Sequence, residues 1–483
     1  MSLRRSVRAL ALPALLASAL ISRPVLAQID SALLSKLTFN LTNPGGKSLA
    51  MGGAFTAIAD DATAALANPA GLGQLSSVQI GLSGKRFNET VGLVTARSTA
   101  LGALTAPYGP MTSSASPISL ESTSLDYAGV VVPVSRRLVL ALSYAQNLLF
   151  EGEAGSDGYQ YIEFRDNRSG GVTRRDYLYE YREFGSVSLK NRLVGLSAGF
   201  RLTERVRLGA GVTLNQTSFD LEGDGSGPHR IVSTTFLSPV ATEVRTVTMA
   251  VEDFGATVPA WLVGVHADLD ERGSVTVGAT YQSAARTSGT FVISGDVPAG
   301  LAGRERRSFT FAVPDSATIG VAYRPIAGMT IAAEGQWIDY SDTFDVALPV
   351  VSYSGLVGPP PGVFVDGVLP AVRPAPDGWV PRVGLEYVAT AGTTRIAFRL
   401  GWHLEPKRGI TEQLVVTDSS GASYPMNDPP FSGGVATVFD GGTSENRFSG
   451  GLGVTFGSAL SVDAAFDVGK SAQNFAVSLF WRF

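Results

Sequence analysis

The sequence predicts an all-β protein, a transmembrane antiparallel β-barrel of about 14 strands. Three observations predict this fold class. From Val78 onward, apolar and polar residues alternate with the period of two that is typical of strands. A secretory signal precedes this region. The chain ends in an alternating strand, Phe475–Phe483, whose last residue is aromatic.

Residues 1–27 are predicted to be the signal peptide. Arg4, Arg5 and Arg8 form its positive start, and 9–21 form an apolar core that ends before the small-residue site 25–27. That core is shorter than the ~20 residues of a spanning helix. We therefore expect cleavage after residue 27. No later segment offers the ~18 apolar residues that a membrane-spanning helix needs.

The composition restricts the class of protein further. Charged residues make up 17% of the chain, below the ~25% that is usual for soluble domains. The absence of cysteine excludes disulfides, thiol catalysis and cysteine-ligated metals. The formal net charge of −4 becomes about −8 when the four arginines of the signal are removed, which argues against a nucleic-acid partner.

The segment 46–75 has the pattern of neither a signal nor a strand. Gly52-Gly53 should end any helix, because glycine loses the most conformational freedom on folding. Asp60-Asp61 should cap a short helix over 62–67, and Asn68-Pro69 should stop it, since the residue before proline is pushed out of the helical region. The segment is therefore expected to be a compact plug of turns and a short helix.

The run from Met51 to Leu72, MGGAFTAIADDATAALANPAGL, resembles the N-terminal signature of the FadL-type family. The matching pieces are Gly52-Gly53-Ala54, residues 57–62 and Asn68-Pro69-Ala70-Gly71. Members of that family carry long-chain fatty acids and hydrocarbons across bacterial outer membranes. The resemblance implies a barrel plugged by a hatch, and passive uptake of hydrophobic molecules such as long-chain fatty acids. It also implies hatch or gating roles for Gly52, Gly53, Asp60, Asp61, Asn68, Pro69, Ala70 and Gly71.

The alternation predicts fourteen strands, an even number as single-chain bacterial barrels require. With the signal at 1–27, the hatch is assigned to 28–76 and the barrel to 77–483. Short turns and long connections alternate, except at the final hairpin 470–472. If the short turns are periplasmic, the long loops are extracellular and both chain ends are periplasmic. The strands are predicted at 77–87, 120–134, 137–150, 189–202, 205–221, 258–269, 273–284, 307–324, 328–340, 378–389, 393–406, 445–456, 459–469 and 473–483.

A soluble β-sandwich or propeller also has alternating strands. The signal peptide, strands of about ten residues and the last strand favour the membrane barrel. The terminal aromatic residue, Phe483, resembles the signal by which barrels are recognised for assembly. The barrel-assembly machinery is therefore an expected partner during biogenesis.

The sequence contains few residues that could form a catalytic site. His229, His266 and His403 are the only histidines, and they are far apart in the chain. A lumen-facing histidine could serve as the base of a barrel hydrolase, but no nucleophile partner is evident, so a hydrogen-bonded lumen residue is favoured. No ligand spacing resembles a calcium loop. We predict no enzyme, no cofactor and no metal.

Two sets of residues are candidates for substrate binding. Arg395 and Arg399 are predicted to face the lumen, where a guanidinium can bind a carboxylate in bidentate fashion. A structural ion pair with Glu386 or the hatch is the favoured alternative, because unpaired buried charge is costly. The loop 346–372 carries almost no charge and includes Val350, Val351 and Phe364. It is either a catch for an apolar substrate or a self-packed cover of the mouth.

The expected partners follow from these features. They are a hydrophobic small molecule, outer-membrane lipid and lipopolysaccharide, whose phosphates the arginine-rich loop 151–188 can contact. The protein is expected to be a monomer. The alternative function is that of a non-transport barrel, either a secretion-accessory protein or a surface receptor.

Overall fold

The structure is a computed structural model. It describes residues 43–91, 114–115, 118–166, 173–232, 239–295, 305–345, 369–373, 377–406, 411–417, 423–425, 444–470 and 472–483. None of the helices in these ranges is long and apolar enough to cross a membrane, a finding that does not bear on strands.

Fourteen antiparallel strands form a closed barrel, and we number them β1 to β14 in chain order. Each pairs with the next, and β14 pairs with β1 from Gln79↔Arg482 to Glu89↔Ala472, which removes every edge from the wall. Each predicted strand overlaps one of them, so the predicted number is confirmed. The strands are Gln79–Val91, Ile118–Pro133, Leu138–Asp166, Thr173–Arg201, Val206–Val232, Thr257–Asp268, Val275–Gln282, Ser316–Tyr323, Met329–Ile338, Gly378–Ala391, Thr394–Glu405, Glu445–Phe456, Leu460–Val468 and Ala472–Arg482.

The two faces of the wall differ as the alternation predicts. Leu196, Ile319 and Leu400 are more than 60% exposed on the outer face, whereas their neighbours Ser197 and Thr318 are buried on the inner face. A continuous apolar outer face is stable only against lipid, which is the pattern of a membrane barrel.

The two ends of the barrel are also different. At one end, which we call the short-turn end, connections such as 134–137 and 202–205 join neighbouring strands. At the opposite end, the long-loop end, several strands continue beyond the barrel wall. The prediction that 151–188 is a loop is wrong for the described residues of that range. Strands β3 and β4, of 29 residues each, continue there.

Further strands extend the wall at the long-loop end. The strand Pro239–Glu252 pairs with β5 and with Ala285–Gly295, which in turn pairs with Glu305–Val313. The prediction of one strand over 307–324 is wrong, since Pro314 interrupts it and lacks the N–H group that a ladder needs. The pieces on either side have different partners. The remaining short strands are Ser114–Ala115, Phe344–Asp345, Leu369–Arg373, Thr411–Thr417 and Ser423–Pro425, and a 3-10 helix spans Tyr340–Asp342.

The hatch, described from residue 43, precedes β1. Its helices are α1 (Gly46–Ala50), α2 (Ala64–Ala67) and a 3-10 helix at Pro69–Gln74. As predicted, Gly52 and Gly53 follow the end of α1, with φ angles of 65° and 84° that favour glycine. The backbone of Asn68 is extended and ends α2, which confirms the predicted stop.

The predicted cap at Asp60-Asp61 is wrong. Helix α2 begins later than expected, with Thr63 as its N-cap and no side-chain capping bond. Asp61 instead closes a local turn, because its Oδ1 accepts from the backbone N and the Oγ1 of Thr63, at 2.9 and 2.5 Å. The carboxylate is satisfied before the helix starts.

Apolar residues of the hatch make the packed core of the described structure. Met51, Phe55, Ile58 and Leu72 are among its seven largest fully buried side chains. They pack with wall residues such as Phe480 on the inner face. The hatch therefore lies in the lumen.

Candidate functional site

Glycines on the inner face of the wall allow the hatch backbone to lie directly against the strands. A Cβ atom at Gly209 would lie 2.1 Å from the backbone N of Ala70, and one at Gly401 would lie 2.1 Å from the N of Gly52. Real Cβ atoms do not approach that closely. The predicted hatch residues Gly52 and Ala70 are thus in contact with the wall at two separate strands, β11 and β5.

Asn68 connects the hatch to β6. Its Nδ2 donates to the carbonyls of Thr56 (2.9 Å) and Val265 (3.1 Å), and its Oδ1 accepts from the N of Ala70 at 3.1 Å. The last bond holds the turn that precedes the 3-10 helix. The bond to Val265, 197 residues away, was not predicted, since no local pattern reveals it.

A second connection uses a buried ion pair on β9 and β10. Glu334 Oε2 accepts from the backbone N of Phe55 (3.1 Å) and Thr56 (2.8 Å), while its Oε1 accepts from Arg382 at 3.1 Å. Arg382 also lies beside Gly53, where a Cβ would be 2.8 Å from its Nε. Arg382 therefore neutralises the carboxylate of Glu334, whose other oxygen accepts from the hatch backbone.

A third connection contains Arg399. Its Nε contacts Glu386 at 2.6 Å and its Nη1 contacts Asp463 at 2.5 Å. Glu386 lies 3.6 Å from Lys47, which also pairs with Asp60 at 2.8 Å. This network supports the structural alternative for Arg399, because the carboxylates of Glu386 and Asp463 already balance its charge.

The other predicted binding residues are not brought to the same place. Arg395 is exposed and faces Thr390, at the short-turn end. Val350, Val351 and Phe364 lie outside the described residues, as does most of the apolar loop to which they belong. Their predicted roles stay predictions.

The hatch also approaches the seam where the barrel closes. The backbone N of Gly46 donates to Ser478 Oγ on β14 at 2.6 Å, and Ser478 donates to Ser83 on β1 at 3.0 Å. The backbone N of Gly45 donates to Asp126 on β2 at 2.9 Å. Hatch contacts therefore reach both sides of the seam.

Two of the three histidines are lumen residues with polar neighbours. His266 is fully buried, with Nε2 3.0 Å from the carbonyl O of Ala57 and Nδ1 3.1 Å from Arg207. His403 lies 3.6 Å from Glu405. The position of His266 agrees with the hydrogen-bonded lumen role that the sequence favoured, whereas the contact of His403 with Glu405 is longer than a hydrogen bond. The side chain of His229 is outside the described part of the chain.

One hatch carboxyl group has an altered acidity. Burial and the charge of Asp60 together raise the pKa of Asp61 to about 6, against the opposing effect of the bonds from Thr63. Asp61 is 4% exposed. At neutral pH the carboxylate of Asp61 is therefore a buried negative charge, and its pKa is close to physiological pH.

Three acidic residues at the long-loop end lie close together. Carboxylate oxygens of Asp315, Asp339 and Asp342 come within 4.8 Å of one another. Arg286 already pairs with Asp342, and it lies 3.5 Å from Asp315. An arginine thus supplies positive charge to this cluster.

A cavity of about 50 Å³ lies between the hatch and the long-loop end, and it is open to solvent. Hatch residues Asn43, Pro44, Leu66 and Ala67 form one boundary, and Pro314 and inward residues of β4 to β9 form the rest. Its hydroxyl residues Thr280 and Thr318 were not predicted, because threonine on an inner face is ordinary in a strand.

Four phenylalanines cluster further toward the long-loop end. Phe254 stacks on Phe309 with ring centroids 5.4 Å apart, and Phe219 and Phe311 meet this pair edge-on. Phe219 is on β5, and Phe309 and Phe311 are on the strand before β8. Phe219, Phe309 and Phe311 are buried, so these rings form a packed cluster within the extended wall.

Solved structures share this arrangement. A Pseudomonas aeruginosa FadL homologue is 14% identical, with a TM-score of 0.57 over 92% of this chain and 99% of that chain. The chain has the FadL-type fold. The Ralstonia pickettii toluene transporter TbuX (17% identity, TM-score 0.53) and the CymD monoaromatic hydrocarbon channel (16%, 0.51) match 92% of this chain and 100% and 99% of their own.

At these identities the likeness to FadL-type structures establishes the fold. No family model matches the sequence, and no curated protein is similar to it. By their names, TbuX is a toluene transporter and CymD is a monoaromatic hydrocarbon channel.

Proposed function

We propose that this chain is an outer-membrane channel for passive uptake of hydrophobic small molecules. The observation that carries the proposal is the cavity that lies directly above the hatch, inside a lipid-facing barrel of FadL-type fold. Ligand sites are concave and occur in the mouths of β-barrels. The named neighbours that carry toluene or monoaromatic hydrocarbons support the same class of substrate.

The finer parts of the proposal come from the sequence. Long-chain fatty acids are the substrates that the resemblance at 51–72 suggests. The long loops face the outside, where the extended strands and their connection over 151–188 contact lipopolysaccharide, and both chain ends are periplasmic. The protein acts as a monomer.

Uptake by intact cells tests the proposal. The chain is produced in a Gram-negative strain that lacks its own channels for hydrophobic compounds, and entry of radiolabelled oleate and toluene is measured. Leu262→Trp fills the cavity from its β6 wall, whereas Val263→Trp places the same ring on the lipid-facing side. We expect L262W to lower uptake and V263W to leave it unchanged at equal surface abundance.

Two results would contradict the proposal. Equal uptake by L262W and V263W would show that the cavity is not on the route. Absence of uptake by wild-type protein that is correctly inserted would favour the non-transport alternative, which co-purification of a secreted or surface partner would then identify.

A further inference from the structure

The wall of the cavity has one polar side. Thr280 on β7 lies directly opposite Thr318 on β8, which lies opposite Gln336 on β9. One step toward the long-loop end, Gln282 lies opposite Ser316. Five uncharged hydrogen-bonding side chains on three neighbouring strands thus form a continuous band on the cavity surface.

The rest of the cavity wall is mostly apolar. It includes Leu66 and Ala67 on the hatch, Leu193 on β4 and Leu262 on β6, together with the hydroxyl group of Thr213 on β5 and the amide group of Asn43. A molecule in this space therefore meets both aliphatic surface and uncharged hydroxyl and amide groups.

None of the described residues that line the cavity is charged. Arg382 contacts one of them, since it donates to Gln336 Oε1 at 2.5 Å, but its charge is balanced by Glu334 at 3.1 Å. Because Oε1 is occupied, Gln336 has its Nε2 group left to donate to a ligand. A carboxylate would enter without a cation to pair with, which is unfavourable in a partly desolvated site.

A plain hydrocarbon would also fit poorly. It would displace water from the threonine and glutamine groups without replacing those hydrogen bonds, and a polar site discriminates against ligands that lack the matching group. An uncharged amphipathic molecule can pack against the apolar residues and form hydrogen bonds with the polar ones.

We propose that the cavity selects uncharged amphipathic molecules, with an apolar body and a hydroxyl, carbonyl or ether oxygen, over carboxylates and plain hydrocarbons. This inference rests on the proposed uptake function and specifies its substrate class. It differs from the fatty-acid expectation, which requires a partner for a carboxylate.

Competition among three matched probes tests the selection. Cells with the wild-type channel are given radiolabelled 1-decanol, decane and decanoate, and entry is corrected for cells without the channel. We expect decanol to enter faster than each of the others by about two- to tenfold, the value of one net hydrogen bond. Faster entry of decane or decanoate overturns the inference and leaves the uptake function standing. Entry of none of the three, by protein that is correctly inserted, overturns both.

Isosteric variants connect the selection to the polar band. Thr280→Val and Thr318→Val remove hydroxyl groups while keeping side-chain shape, so the preference for decanol over decane should disappear and decane entry should rise. Thr455→Val is the control, because its hydroxyl pairs with Ser461 (3.0 Å) near the short-turn end, away from the cavity. An unchanged preference in the double variant T280V/T318V would contradict the assignment.

Discussion

Gly264 and Asn68 are fitted to each other, because a Cβ atom on Gly264 would lie 2.2 Å from Oδ1 of Asn68. The side chain of Asn68 thus occupies the space in which a wall residue other than glycine would project. The same atom accepts the hydrogen bond from Ala70. The wall glycine and the hatch asparagine form one contact that holds the turn before the 3-10 helix.

Gly264→Ala should loosen this part of the hatch. The added methyl group displaces Asn68, and overpacking of this kind costs about 1–3 kcal/mol. Hydrogen exchange of the amides at 64–72 should therefore be faster than in wild type. Gly335→Ala is the control, since its Cβ would meet Trp379 at an ordinary 3.7 Å. Equal exchange in both variants would show that the contact is not restrictive.

Asn68→Ala should lower uptake of a hydrophobic substrate while barrel assembly stays intact. The substitution leaves the carbonyls of Thr56 and Val265 and the N of Ala70 without this partner, which alters how the hatch meets the wall. Radiolabelled uptake and surface abundance are measured together. Wild-type uptake at equal abundance would mean that the residue only connects two segments.

The hatch should become less stable as the pH rises through about 6. The folded protein raises the pKa of Asp61 from 3.8 to about 6, so it holds this proton more tightly than the unfolded chain does. The resulting stabilisation is complete below about pH 3.8 and is lost as the pH rises through about 6, with a total of about 3 kcal/mol.

Hydrogen exchange of residues 60–66 at pH 4.5 and 7.5, corrected for intrinsic rates, measures this effect. Asp61→Asn keeps an oxygen that can accept from Thr63 but removes the titration, so its exchange should be independent of pH in this range. A wild-type hatch with the same protection at both pH values would contradict the assignment.

Deletion of Phe483 should impair insertion of the barrel. Its backbone N donates to Val78 at 3.0 Å, and its ring stacks on Trp481 with centroids 6.1 Å apart on the lipid-facing side. Heat-modifiable, protease-resistant protein in outer membranes reports insertion. Phe483→Tyr keeps an aromatic ring and should insert normally, and normal insertion of the deletion variant would refute the prediction.

Tags at 170 and 421 should be accessible on intact cells, and tags at Ala391 or Gly457 should not. Both of the last two positions lie at the short-turn end. A tag at Gly225 is less suitable, because this residue pairs with Glu183 and lies inside β5. Surface labelling at Ala391 would reverse the orientation.

The sequence predicted the wall well and the loop end less well. Strand alternation is visible wherever one face meets lipid, so all fourteen strands were found. The register also places Glu386 opposite Arg399, where they form the ion pair that the sequence favoured. Beyond the lipid, both faces of a strand meet water or protein, and the continuation of β3 and β4 lacks that signal.

For the contacts that join the hatch to the wall, the sequence could predict the types of residue but not the partners. The composition indicates small inward residues and buried arginines, but the partners Glu334 and Phe55 are 279 residues apart. The polar band of the cavity was missed for the same reason. Thr280, Thr318 and Gln336 acquire a shared role only when the barrel register places them side by side.

The bonds from Gly46 to Ser478, and from Ser478 to Ser83, cross the seam at which the barrel closes. Strand β14 meets β1 there, and these two serines are 395 residues apart. Bringing such distant segments together costs chain entropy. Because the hatch also bonds to β2 through Gly45 and Asp126, its contacts stabilise the closed seam in addition to the ladder between the two strands.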